Sequence, residues 1–140
     1  MKSILAASLA FAALALPALA DEVWSTPVGN VIYEDDLTTG EAVLSFPTGD
    51  PEIRSMAYFT GMAGVFTGRT YFEGVWTEPE VGDACSVAIA DPRTGKPRHN
   101  WGRIQIVFTE PDFPGGWVAL RGSCFDTPDQ FLVGKPVTGE

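Results

Sequence analysis

Hydrophobic and polar residues alternate with a period of two along most of the chain after residue 20, for example in Arg69–Thr77, Arg103–Thr109 and Trp117–Cys124. This alternation is typical of β-strands with one buried face, because successive side chains of a strand point to opposite sides. Beyond residue 20 we find no convincing helical periodicity. The core faces predicted for the three segments contain Phe72, Gly74 and Trp76; Ile104, Ile106 and Phe108; and Val118, Leu120, Gly122 and Cys124.

Frequent chain breakers separate the predicted strands. The 140 residues include 15 glycines and 11 prolines, many of them in stretches such as 46–51, 91–97 and 110–116. Short strands joined by such turns are typical of antiparallel sandwiches and small barrels. We therefore predict an all-β fold, a single small antiparallel barrel or sandwich of about seven or eight strands. The other predicted strands are Val28–Glu34, Glu41–Phe46, Ile53–Thr60, Cys85–Ile89 and Phe131–Val133.

The first twenty residues have the pattern of a secretory signal peptide. Lys2 precedes an apolar run of 13 residues from Ile4 to Leu16, and small residues stand at Ala18 and Ala20. A helix of this run would be about 20 Å long, too short for a hydrocarbon core of roughly 30 Å. We predict cleavage after Ala20, a single β domain over residues 21–140, no membrane insertion after cleavage, and a periplasmic or secreted location.

The predicted mature chain is strongly acidic. Removing the leader removes Lys2 and leaves 120 residues with a formal charge of −10, against −9 for the whole chain. Such a field repels nucleic acid and anionic lipid, so we expect neither as a partner. A chain of this length buries about two thirds of its surface on folding, so no structural metal is required.

Cys85 and Cys124 are the two cysteines, and the predicted export places them where a cysteine pair normally forms a disulfide. A closed loop of about 40 residues would stabilise the fold by roughly 3–4 kcal/mol. In a plain meander the two residues would lie about 20 Å apart, whereas a disulfide requires Cα atoms within about 7 Å. Either the thiols are unpaired or the chain is not a plain meander around the disulfide. We favour the second, with a bend near Gly122 or a strand crossing to a facing sheet.

No motif in the sequence specifies a reaction. The one histidine, His99, lies in a predicted loop, and a histidine base would need a nucleophile and an orienting carboxylate beside it. The acidic cluster of Glu78, Glu80 and Asp83 lacks the spacing of a twelve-residue calcium loop. We predict no catalytic residue, no metal site and no cofactor.

A polar face edged by aromatic residues is the candidate recognition surface. If Thr109 pairs with Trp117 in a hairpin, Gln105 lies close to Arg121, and both point outward. Tryptophan, tyrosine and arginine dominate binding hot spots, although an ordinary solvated strand face shows the same alternation. The candidate ligand-binding or partner-binding residues are Tyr71, Trp101, Arg103, Gln105, Trp117 and Arg121.

The triplet Gly74-Val75-Trp76 resembles the Gly-x-Trp of lipocalin-like barrels. With Cys85 following in the next predicted strand, this stretch is also similar to secreted metalloprotease inhibitors of the small-barrel type. The resemblance covers Gly74 to about Cys85. Lipocalins have their triplet near the N-terminus, whereas 53 residues of the predicted mature chain precede it here. We assign no family on this match of three residues and transfer no functional residue from it.

The sequence supports three functional hypotheses. We favour an exported, periplasmic, non-enzymatic binding module that recognises a protein partner or a small ligand through a rigid β-scaffold. The alternatives are a small carboxylate-dependent hydrolase, and an accessory or assembly factor, including a protease-inhibitor-like barrel, for an envelope or secreted protein. A wide cavity lined by Phe72 and Trp76 would favour a small ligand, and an exposed patch around Trp117 and Arg121 would favour a protein partner. Two carboxylates converging in a cleft would favour the hydrolase.

Overall fold

The computed structural model describes residues 22–79 and 85–138; the predicted signal peptide, Glu80 and Asp83 lie outside these ranges. The described residues form β-strands and include no helix long and apolar enough to cross a membrane. The strands are β1 (Val23–Thr26), β2 (Gly29–Asp36), β3 (Glu41–Pro47), β4 (Arg54–Thr60), β5 (Tyr71–Thr77), β6 (Ile89–Ala90), β7 (Pro97–Arg98), β8 (Trp101–Phe108), β9 (Trp117–Arg121) and β10 (Gln130–Pro136).

Eight of these strands close into one antiparallel barrel, in the order β1-β10-β9-β8-β5-β4-β3-β2. Each barrel strand therefore pairs with the barrel strands before and after it in sequence, and β10 closes the barrel against β1. The predicted all-β class and the single small antiparallel barrel are confirmed. An eight-stranded barrel has an interior that side chains can fill or that can hold one small ligand.

Alternate side chains of the barrel strands fill its interior, as the period of two predicts. Three large aromatic side chains meet there, because the ring centroid of Trp24 lies 6.0 Å from that of Trp117 and 6.4 Å from that of Phe108. The core positions predicted in β5 and β8 are confirmed. The buried core cluster includes Trp24, Val31, Ala42, Leu44, Phe46, Ala57, Phe59, Trp76, Ile104, Ile106, Phe108, Trp117 and Ala119.

The predicted faces of β9 are wrong. Trp117 pairs with Phe108 rather than with Thr109, a difference of one residue in register. Because the side-chain period of a strand is two, a shift of one residue exchanges its two faces. Trp117 is therefore 1% exposed in the core, Leu120 lies on the outer surface, and Arg121 points into the barrel.

Cys85 and Cys124 form the predicted disulfide, with their Cα atoms 5.6 Å apart. The chain departs from a plain meander beside this bond because the segment predicted as the strand Cys85–Ile89 leaves the barrel between β5 and β8. Its end pairs with β7 in a separate hairpin. After β9 the chain continues beside the start of β8, where the Cys124 N–H donates to the Trp101 carbonyl at 2.9 Å. The disulfide thus ties this excursion to the loop between β9 and β10.

A buried ion pair closes one end of the barrel. Arg69, 2% exposed, donates through Nη1 to both carboxylate oxygens of Glu22 at 2.8 and 2.9 Å. Its guanidinium lies 5.0–5.8 Å from the ring centroids of Tyr33, Phe66 and Phe108. The alternation of the sequence predicts Arg69 on the outer face of a strand. In the structure, Arg69 instead precedes β5 and covers the end of the barrel. Charge, hydrogen bonds and aromatic contacts together plug this end.

Candidate functional site

The end of the barrel opposite the Arg69 plug opens into a cavity of about 550 Å³. Apolar side chains from β3, β8, β9 and β10 form its inner wall. The turn between β1 and β2 and the loop after β3 contribute to its rim. The lining residues are Val28, Phe46, Pro47, Thr48, Gly49, Ile104, Ala119, Arg121, Gln130, Phe131 and Leu132.

The sizes of the inward side chains of β9 explain where this space lies. Trp117 fills the barrel nearer the plugged end and packs against Gly134, where a Cβ would come within 2.3 Å of the indole ring. The next inward residue, Ala119, has only a methyl group, and it pairs with Leu132 across the strands. The core is therefore filled at the level of Trp117 and leaves space at the level of Ala119.

Arg121 is the charged residue among those that line the cavity. Its guanidinium lies 3.7 Å from the ring centroid of Trp76, and its Nη2 donates to Oε1 of Glu78 at 2.5 Å. The side chains of Arg121 and Glu78 are 22% and 15% exposed. Burial lowers the pKa of Arg121, and the hydrogen bond and charge of Glu78 oppose this shift. The guanidinium nevertheless stays charged, because arginine is not deprotonated in proteins.

A hydrogen bond fixes the orientation of the Trp76 ring, and strand pairing places a second polar side chain beside Arg121. Trp76 donates through its indole Nε1 to the Gly122 carbonyl at 2.7 Å, which sets the plane of the ring beneath Arg121. Gln130 lies directly opposite Arg121 in the pairing of β9 with β10, so both side chains share the inner face. The cavity therefore combines apolar walls with a few hydrogen-bonding groups at one side of its entrance.

The six residues predicted for binding lie in four different environments. Arg121 lines the cavity. Trp117 is in the core, and Trp101 is 3% exposed on the outer side of β8, where the Phe125 ring packs against it with centroids 4.9 Å apart. Neither tryptophan is available at the surface, so the aromatic edges of the predicted recognition face are missing.

Tyr71, Arg103 and Gln105 do share an outer face, formed by β5 and β8. Gln105 is paired with Glu73, and Tyr71, Glu73 and Arg103 line an open surface groove. Arg103 donates through Nη2 to the carbonyl of Phe125 at 2.6 Å, which anchors the loop after β9. The fold therefore brings these three predicted residues together, but on the outer face of the barrel and away from the cavity.

Sequence reasoning missed Glu78 as the partner of Arg121 and missed the cavity wall. One feature of the sequence does indicate the cavity: on the inner face of β9 the small residue Ala119 stands between Trp117 and Arg121. This feature can be recognised only when the register of β9 with β8 is known. His99, as expected for a loop residue, has its Nδ1 3.1 Å from the Cys85 carbonyl oxygen.

None of the described residues that line the cavity is acidic. Among the described residues, no group of three or more His, Cys, Asp or Glu is placed to hold a metal ion. Glu78, a member of the acidic cluster considered for calcium, instead pairs with Arg121 and accepts a hydrogen bond from Asn100 at 3.3 Å. The apolar walls can enclose a largely apolar molecule, and Arg121 and Gln130 can donate hydrogen bonds to a polar group on it.

Comparison with protein-family models, curated proteins and solved structures finds no match to this chain. The triplet Gly74-Val75-Trp76 lies in β5 of the barrel.

Proposed function

We propose that this protein is an exported, non-enzymatic binding module that takes a small, largely apolar molecule into the open end of its barrel. The observation that supports this most is the cavity of about 550 Å³ with walls that include Phe46, Ile104 and Leu132. Small-molecule sites typically measure roughly 300–1,000 Å³ and combine apolar walls with a few placed polar groups. Both properties are present at this end of the barrel.

The two ends of the barrel differ in a way that suits a binding cup. The ion pair of Arg69 with Glu22 and the aromatic rings around it fill one end. The other end is bordered by Val28 and Phe131, whose side chains are 63% and 65% exposed. Exposed apolar residues at the rim of an apolar cavity favour entry of an apolar molecule there.

Export is supported by two independent features. The first twenty residues have the pattern of a secretory leader. The Cys85–Cys124 disulfide is of the kind that persists in oxidising compartments. We therefore propose a periplasmic or secreted location for the mature barrel.

The two alternatives are less well supported. A carboxylate-dependent hydrolase needs two acids in a cleft, whereas the described residues that line the cavity include no aspartate or glutamate. The two tryptophans predicted as anchors for a protein partner, Trp101 and Trp117, are both buried. The outer face of Tyr71, Arg103 and Gln105 is the surface on which a partner would be sought.

The proposal is tested by filling the cavity from within. The neutral dye N-phenylnaphthylamine, which fluoresces in apolar surroundings, is titrated into the mature protein with its disulfide intact. We expect saturable binding that Ala119→Trp weakens at least tenfold, because the indole would occupy the space beside Leu132. Leu120→Trp is the matched control, since the adjacent side chain lies outside the barrel.

Circular dichroism of both variants checks that the barrel is formed. Unchanged dye affinity in a folded Ala119→Trp protein would contradict the proposal. So would a wild-type protein that does not bind the dye at all, or equal loss of binding in the Leu120→Trp control.

A further inference from the structure

The pairing of Arg121 with Glu78 specifies which polar chemistry the cavity accepts. We propose that the site selects an uncharged molecule with a hydrogen-bond acceptor, such as an ester, ketone or amide on an apolar body, over the carboxylate of the same size. This inference rests on the proposed function and adds the chemical class of the ligand.

The positive charge of Arg121 is already neutralised by the protein itself. Its Nη2 lies 2.5 Å from Oε1 of Glu78, and both side chains are mostly buried. Its flat face rests on Trp76, with 3.7 Å between the guanidinium carbon and the ring centroid. The charged group that lines the cavity is therefore one partner of a neutral ion pair that stacks on an aromatic ring, and not a free cation that awaits a counterion.

Hydrogen-bond donors of the same guanidinium remain available. A guanidinium has five N–H groups. Among the described residues, Nη2 is the one nitrogen of the Arg121 guanidinium that has a hydrogen-bond partner, which is Glu78. Because Arg121 lines the cavity, its remaining N–H groups can donate to a bound molecule without breaking the ion pair. A ligand carbonyl oxygen would take the place of water as the acceptor for these donors.

A ligand carboxylate would fit this site poorly. It would have to share one guanidinium with Glu78, and two carboxylates held close together in a partly desolvated site disfavour each other. The whole chain carries a formal charge of −9, so the long-range field adds to the repulsion. A neutral acceptor incurs neither penalty.

Methyl octanoate and octanoate are the matched probes, because they differ mainly in charge. Calorimetric titrations of the mature, disulfide-bonded protein at about pH 8 keep octanoate ionised, since carboxyl groups titrate near pH 4–5. We expect the ester to bind at least tenfold more tightly than the carboxylate. Glu78→Gln keeps the size of the side chain and an acceptor oxygen but removes the charge. In this variant we expect octanoate to bind at least tenfold more tightly than in wild type, with the ester within about threefold.

Glu73→Gln is the matched control, because it makes the same change in net charge on the outer face of β5. Stronger binding of octanoate by wild type, an unchanged preference in folded Glu78→Gln, or an equal effect of Glu73→Gln would each overturn the inference. If Glu78→Gln does not fold, the wild-type preference between ester and carboxylate decides alone. If neither probe binds to a protein that still binds N-phenylnaphthylamine, the ligand class is wrong; if the dye does not bind either, the proposed function is wrong as well.

Discussion

The guanidinium of Arg121 lies 3.7 Å from the ring centroid of Trp76, so β9 places a charged side chain inside the barrel against an aromatic side chain of β5. The two strands are not neighbours, because β8 runs between them. This contact is possible because the intervening residue of β8 is Gly102, which pairs with Trp76 in the sheet. The polar side of the cavity entrance thus depends on three adjacent strands.

Replacement of Arg121 tests whether the side chain is inside the barrel. Arg121→Met removes the ion pair and leaves Glu78 partly buried without its counterion. We expect the free energy of unfolding to fall by about 1–3 kcal/mol, between the values typical of exposed and fully buried pairs. Urea denaturation measures the change. Lys135→Ala, at an exposed position of β10, is the control and should change stability by less than about 0.5 kcal/mol. Equal effects of the two substitutions would place Arg121 at the surface.

Gly102 allows the close approach of Trp76 and the chain after β9. A Cβ at this position would lie 1.9 Å from the Gly122 carbonyl oxygen and 2.5 Å from the Trp76 Nε1. We expect Gly102→Ala to lower the free energy of unfolding by at least about 2 kcal/mol, because backbone and indole must both move. Gly49→Ala, where a Cβ would meet nothing within 4 Å, should be nearly neutral in the same urea titration. A neutral Gly102→Ala would show that the contact is not required.

The disulfide should stabilise the protein without determining its fold. Cys85 and Cys124 are 39 residues apart in sequence, and both lie outside the barrel strands. In the chain-entropy model, a loop of this size contributes about 3–4 kcal/mol. We therefore expect reduction to lower the melting temperature while the far-ultraviolet circular dichroism of the barrel persists at room temperature. The same melting temperature with and without reductant would show that the bond contributes nothing to stability.

A buried carboxylate fastens the β6–β7 hairpin to the outer wall of the barrel. Asp91, 4% exposed, accepts hydrogen bonds from the Tyr58 hydroxyl at 3.2 Å and the Thr77 hydroxyl at 3.1 Å. Burial alone would raise the pKa of Asp91, but the hydrogen bonds from the backbone N–H groups of Arg93 and Thr94, together with those from the two hydroxyl groups, outweigh it and lower the pKa below its ordinary value.

This lowered pKa predicts how stability depends on pH. Since the pKa of Asp91 is lower in the folded than in the unfolded chain, its contribution is complete at neutral pH and is lost as the pH falls below about 4. We expect Asp91→Asn to cost about 1–3 kcal/mol at pH 7 and clearly less at pH 3, as measured by urea denaturation at both values. The exposed Asp112→Asn is the control. A cost that does not shrink on acidification would contradict the assignment.

The fold class followed from the sequence because alternation and turn residues act locally. The inner faces of β5 and β8 were predictable for the same reason, since Phe72 and Trp76, or Ile104 and Ile106, alternate with polar residues. The strand β1 was not predicted, because its four residues, Val23–Thr26, are too few for a periodic pattern.

The site was less predictable, because β9 has apolar residues on both faces. Val118 and Leu120 lie on one face and Trp117 and Ala119 on the other, so hydrophobicity does not distinguish the buried face. Because the charged Arg121 shares its face with Trp117 and Ala119, the pattern favours placing that face outside, which is wrong. The correct choice depends on the register with β8 and on a barrel end that tolerates a paired charge inside. The register and the tolerance for a paired charge are properties of the closed barrel, and the local sequence pattern contains no sign of them.

Methyl NMR of the mature protein during titration with N-phenylnaphthylamine shows whether the dye binds inside the barrel. If the cavity is the binding site, the methyl signals of Ile104, Ala119 and Leu132 will shift and show contacts to the dye, while those of Val107 and Leu120 on the outer wall will not. Shifts confined to Val107 and Leu120, or no shifts at saturating dye, would contradict binding inside the barrel.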